Sequence, residues 1–68
     1  MNWQRTNKGL CIEFTNGTKA NYNNRVLEVP RNEEILKFNA ENLQVAETIL
    51  GMYMMVMKKL KIKNNVEI

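Results

Sequence analysis

Sixty-eight residues carry a formal charge of +3, and a chain this short buries only about 60% of its unfolded surface on folding. Domains of that size usually recruit a disulfide, a metal or a second subunit. The single Cys11 excludes an internal disulfide and the chain has no histidine, so the usual thiolate and imidazole metal sites are out of reach and association remains.

The residue inventory also bears on chemistry. There is no His, Asp or Ser, which removes the Ser-His-Asp and Cys-His arrangements and the imidazole general base. The glycines stand apart at positions 9, 17 and 51, so no phosphate-cradling loop is present. A chain without catalytic residues, cofactor or metal is the expectation. A lone thiol fits a reducing, cytoplasmic setting, and the polar start Met1–Lys8 has no apolar secretory core. Charge is uneven: residues 1–32 hold five basic and two acidic side chains, residues 33–68 five of each. Asparagine occurs eleven times, a load common in products of AT-rich genomes.

Taken in chain order, residues 1–8 read as a polar arm or short extra edge strand, with Trp3 able to pin it to the core. Leu10, Ile12 and Phe14 alternate on one face of a strand. Thr15-Asn16-Gly17 then forms a turn. A three-residue loop with Gly17 left-handed sets Leu10 opposite Tyr22, Ile12 opposite Ala20, and Glu13 opposite Lys19. A two-residue loop would put polar residues across the apolar face, because a one-residue slip reverses every side chain. Asn23-Asn24 supplies a second turn, which places Arg25 opposite Tyr22 and Leu27 opposite Ala20. Leu27 and Val29 thereby join the apolar face. The other face carries Cys11, Glu13, Lys19, Asn21, Val26 and Glu28. Pro30 is expected to end this third strand.

The fold expected is α+β: a three-stranded antiparallel meander over 9–29 followed by one long helix over 33–62, in a single domain spanning 1–68. Asn32 would cap the helix and Glu33-Glu34 would suit its positive end. Leu36, Leu43, Leu50 and Met57 recur every seven residues in phase with that helix. The alternative makes Glu34–Phe38 a fourth strand, with Asn39 capping a helix from about residue 40.

From Leu43 onward the helical pattern is plain. Leu43, Ala46, Leu50, Tyr53, Met57 and Leu60 keep the spacing of a heptad seam. Thr48–Met57 is uncharged and holds four of the five methionines. A helix apolar all round is buried all round or spans a membrane. A span needs about 20 apolar residues, and Glu47 interrupts Leu43–Met57, so a membrane is not expected. One sheet covers one side of a helix, so a second molecule is expected on the other, most simply a two-fold dimer. Ile49, Met52, Tyr53, Met54, Met55 and Val56 are the residues expected to meet it, with Gly51 allowing close approach. Methionines also fill awkward cores, and they suit adaptable surfaces that grip a different protein.

Lys58, Lys59, Lys61 and Lys63 match the negative end of the helix dipole, and Asn64-Asn65 offers a stop. Together with Arg5, Lys8, Lys19, Arg25 and Arg31, the lysines Lys58, Lys59 and Lys61 are the candidate nucleic-acid contacts. Stacking aromatics on the open sheet face would strengthen that reading, and the register puts Phe14 and Tyr22 on the other face. The expectation is a small non-enzymatic interaction protein that self-associates through its Met-rich helix and modulates a partner protein, in the manner of a phage or mobile-element inhibitor of a host factor. The alternative is a small basic nucleic-acid-binding regulator.

Overall fold

The computed structural model describes residues 1–57 and 61–63. Five strands precede one helix: β1 (Gln4–Thr6), β2 (Gly9–Glu13), β3 (Lys19–Asn23), β4 (Val26–Arg31), β5 (Glu34–Asn39) and α1 (Leu43–Val56). The strands form one antiparallel sheet in sequence order, β1-β2-β3-β4-β5. The α+β class is as expected; three strands become five.

The β2–β3 register is the one the apolar pattern required, with Leu10 across from Tyr22, Ile12 from Ala20 and Glu13 from Lys19. Gly17 takes φ +90 and donates its N–H to the Phe14 carbonyl at 3.0 Å. Asn16 holds the loop by accepting from the Thr18 N–H at 3.0 Å.

The β3–β4 turn sits one residue further on than Asn23-Asn24. Asn23 pairs with Val26 and Tyr22 with Leu27, while Asn24 and Arg25 both take positive φ. The pairing therefore moves by two residues and the faces are preserved. The physical reason is Arg25. In the expected register it would face inward beside Tyr22, a buried guanidinium without a partner. In the turn it reaches water, and its left-handed backbone costs only about 1–2 kcal/mol.

Glu34–Asn39 is strand, as the alternative reading of Glu34–Phe38 had it, and Glu33 lies in the turn before it, so the helix expected from residue 33 does not form there. Asn32 is a left-handed turn residue at φ 56 instead of a cap. β5 sets Phe38 against Leu27 and Leu36 against Val29, so it completes apolar pairs that a three-stranded sheet would leave open at its edge. Ala40 then stops the helix from starting early. Its N–H donates to the Arg25 carbonyl at 2.9 Å and its carbonyl accepts from the Tyr22 hydroxyl at 2.8 Å. The cap is Asn42, whose side chain accepts from the Val45 N–H at 2.9 Å. Pro30 does not end its strand. It pairs with Ile35 inside β4, beyond the part of β4 that pairs with β3, so no ladder bond is lost there. Its carbonyl accepts from the Tyr53 hydroxyl.

The helix ends at Val56, so the expected reach to residue 62 is also corrected. Its last turn carries no basic side chain. The segment 61–63 returns as extended chain beside β2: the Thr15 N–H donates to the Lys61 carbonyl at 2.7 Å, the Lys63 N–H to the Glu13 carbonyl at 2.8 Å, and Phe14 bridges Ile62. Ile62 gains a place against the core there that continued helix would not give it. Lys58, Lys59, Leu60 and Asn64-Asn65 lie outside the described residues.

Between sheet and helix lie Ile12, Phe14, Ala20, Leu27, Val29, Ala40, Ala46 and Leu50, all fully buried. Phe14 and Tyr53 contact at 6.3 Å between ring centroids. Trp3 covers one flank. Its indole N–H donates to Glu47 at 2.8 Å, and its ring lies 6.4 Å from that of Tyr22.

Candidate functional site: an apolar groove beside an open sheet edge

The two edges of the sheet differ. On the first side β1 covers residues 9–11 of β2, and segment 61–63 covers residues 13–15. β1 itself is three residues long, polar and exposed, a short edge that offers little to a passing strand. On the other side lies β5, six residues long, which among the described residues pairs with β4 alone.

Hydrogen bonding fixes which way β5 points. The Ala40 N–H bonds to Arg25, so residues 25 and 40 are a bonded pair. Bonded and non-bonded pairs alternate along an antiparallel ladder. Leu36 and Phe38 therefore spend their backbone groups on β4, and Ile35, Lys37 and Asn39 aim theirs at the open edge. Side chains alternate with the same period. Leu36 and Phe38 lie on the helix side with Leu27 and Val29; Ile35 and Lys37 lie on the outer side with Pro30 and Glu28. Ile35 is 63% exposed. Lys37 stands 3.9 Å from Glu28 in an exposed ion pair.

The helix is set toward the middle of the sheet and leaves the inner face of β5 partly uncovered. The result is a groove of about 260 Å³ lined by Leu36 and Phe38 below, Ile49, Met52, Tyr53, Val56 and Met57 above, and Arg31 at one end. Apart from Arg31 the lining is apolar or aromatic. At 3.6 residues per turn, Ile49, Met52 and Val56 form one stripe beside β5, and Met52 and Val56 are exposed.

Four of the six expected interface residues, Ile49, Met52, Tyr53 and Val56, are thus brought together. The other two are not. Met54 packs against the core, and Met55, 76% exposed, points away from the groove. Gly51 falls on the flank opposite the groove, and a methyl there would meet no atom within 4 Å. Leu36 and Phe38 are absent from the expected interface because the favoured reading puts them in the helix; the alternative strand Glu34–Phe38 holds both. Their alternation, with β-prone Ile35 and Phe38 so close together, was the signal available.

Among the described residues the candidate basic side chains do not converge. Lys8 and Arg25 lie in turns at one end of the meander; Lys19 and Arg31 lie toward the other end. Arg5 is on β1 and Lys61 is in the returning segment. Among the described residues the outer sheet face carries no aromatic side chain. Cys11 does face outward, between Gln4 and Asn21, and is buried.

Among the described residues no three His, Cys, Asp or Glu side chains cluster as metal ligands would, and no helix is long and apolar enough to cross a membrane. Comparison with family models, curated proteins and solved structures finds no match to this chain.

Proposed function

We propose that this chain is a non-enzymatic interaction protein whose contact surface is the groove between β5 and α1. The observation that carries the reading is the coincidence of two unmet demands at one place. Backbone groups of Ile35, Lys37 and Asn39 face the open edge, and an apolar groove opens beside them. A polypeptide satisfies both at once, offering ladder hydrogen bonds to the edge and apolar side chains to the groove. Two flexible methionines among the lining residues suit a surface that adapts to what it holds. The residue inventory, without His, Asp or Ser, supports binding over catalysis. Binding and modulating a partner protein, as a small inhibitor does, is the mode of action this surface serves. The scattered basic residues do not favour nucleic acid.

Photo-methionine placed at position 52 or at position 55 tests the reading, in cell lysate and in the purified protein. Position 52 should cross-link to a polypeptide and position 55 should not. Val56→Glu should abolish the cross-link while the circular dichroism spectrum is unchanged, since Val56 is 77% exposed. Cross-linking to nucleic acid, or equal cross-linking from both positions, would overturn the proposal.

A further inference from the structure

We propose that the occupant of the open edge is a second copy of this chain, whose own β5 pairs antiparallel across a two-fold axis at Leu36. The inference rests on reading the β5–α1 groove as a contact surface, and it adds the identity, orientation and register of what sits there.

Parity restricts the pairing first. Only Ile35, Lys37 and Asn39 aim backbone groups outward, so an outward residue of one copy must face an outward residue of the other. Residues facing each other point to the same side of the sheet. The inner faces of the two copies must therefore lie on one side of the joined sheet, and both helices with them. The two grooves, each flanking its own β5, then open into a single apolar valley. Leu36 and Phe38 of both copies form its floor, and Met52 and Val56 of both copies form its walls.

Charge selects the direction and register. Glu33, in the turn, and Glu34, on the helix side, stand at the start of β5, and Lys37 stands further on, on the outer side. Antiparallel self-pairing sets the acidic end of each copy toward the basic half of the other; parallel pairing would stack like charges. With the axis at Lys37 the two lysines would face each other directly, which is destabilising. With the axis at Ile35 most of each strand would face the β4–β5 turn of the other copy and not a strand. With the axis at Leu36, residues 34–38 pair in full. Lys37 then lies across from Ile35 of the second copy, whose outward side chain gains the cover it lacks. One diagonal step away lie residue 33 of that copy on one side and that copy's Lys37 on the other, so the like charges meet diagonally and not face to face. Lysine on an edge strand ordinarily discourages pairing; here Lys37 discriminates between registers.

Leu36 on the axis faces its own copy in a non-bonded pair, where α-carbons approach to about 4.5 Å, inside the range a disulfide spans. The test follows from that. In a Cys11→Ala background, Leu36→Cys should cross-link to a covalent dimer under mild oxidation, and Lys37→Cys should not. Sedimentation of the wild-type chain should give twice 8.0 kDa. Lys37→Pro removes an outward N–H that β4 does not use, so it should give a folded monomer. Should that variant fail to fold, the cysteine pair still decides. A wild-type monomer at about 100 micromolar (roughly a hundredfold above a 1 micromolar Kd), or a dimer in which Leu36→Cys does not cross-link, would overturn the inference. The groove reading stands in either case if position 52 cross-links to a polypeptide and position 55 does not, and falls if position 52 captures none, captures nucleic acid, or cross-links no better than position 55.

Discussion

One substitution, glycine to alanine, has opposite consequences at two positions. Gly9 holds φ +127, and a methyl there would come within 2.6 Å of the Tyr22 carbonyl oxygen and 2.9 Å of the Asn23 β-carbon. Strain of that kind costs on the order of 1–3 kcal/mol before the clash is added. Gly9→Ala should therefore destabilise the fold by about 2 kcal/mol or more. Gly51 has ordinary helical backbone and open space where the methyl would go. Gly51→Ala should stabilise by about 0.5–1 kcal/mol through helix propensity alone, which in a domain this small raises Tm by about 4–8 °C per kcal/mol. Urea and thermal unfolding of the two variants measure both. The pair also probes the role that sequence spacing suggested for Gly51. Were two helix backbones in contact there, alanine would lower dimer mass in sedimentation; with Gly51 on the flank opposite the groove, mass should not change.

At the scale of elements, two asparagines separate the helix the sequence suggested from the one that forms. Asn42→Ala should cost about 1 kcal/mol, the usual loss for an N-cap, because its side chain accepts from Val45. Asn39→Ala, at the position the shorter-helix alternative would cap, should change stability by less than about 0.5 kcal/mol, as exposed positions do. Equal losses in urea unfolding would contradict the observed boundary. The first hairpin was legible to the residue, because Leu10, Ile12, Phe14, Ala20 and Tyr22 admit one register only. The heptad seam from Leu43 to Met57 was legible for the same reason: its period has no competitor. Strand β5 was legible only as the alternative, Glu34–Phe38 with a helix from about residue 40, which the structure bears out; Leu36 happens to fall in phase with Leu43, and periodicity cannot see that Leu27 and Val29 need neighbours. The Ala40 backbone, bonded on both sides to distant parts of the chain, is likewise a tertiary fact. The groove inherited this limit. Its helical wall could be read from Ile49, Met52, Tyr53 and Val56, and its floor only through the alternative strand Glu34–Phe38.

At the scale of the molecule, the next-neighbour strand order has a kinetic meaning. Every strand pairing in the meander closes a short loop, so its entropic cost is small. Contacts that join the two ends of the chain do not share this economy. Trp3 reaches Glu47 across 44 positions, and Phe14 meets Ile62 from nearly the far end of the chain. The hairpins joining β2, β3 and β4 should be formed in the transition state, with the two ends of the chain attaching afterwards. Leu27→Ala, across from Tyr22 in the β3–β4 hairpin, should then mainly slow folding, and Ile62→Ala should mainly speed unfolding. Chevron plots of the two variants measure this, and a slowed folding arm for Ile62→Ala would contradict it. The order also sets what is exposed and when. β5 is finished by its own hairpin before the far edge of β2 is closed by segment 61–63, so its open edge is presented while the chain is still completing itself. Assembly and folding would then compete for the same strand, and the yield of correctly paired protein should fall as the concentration at which it refolds rises.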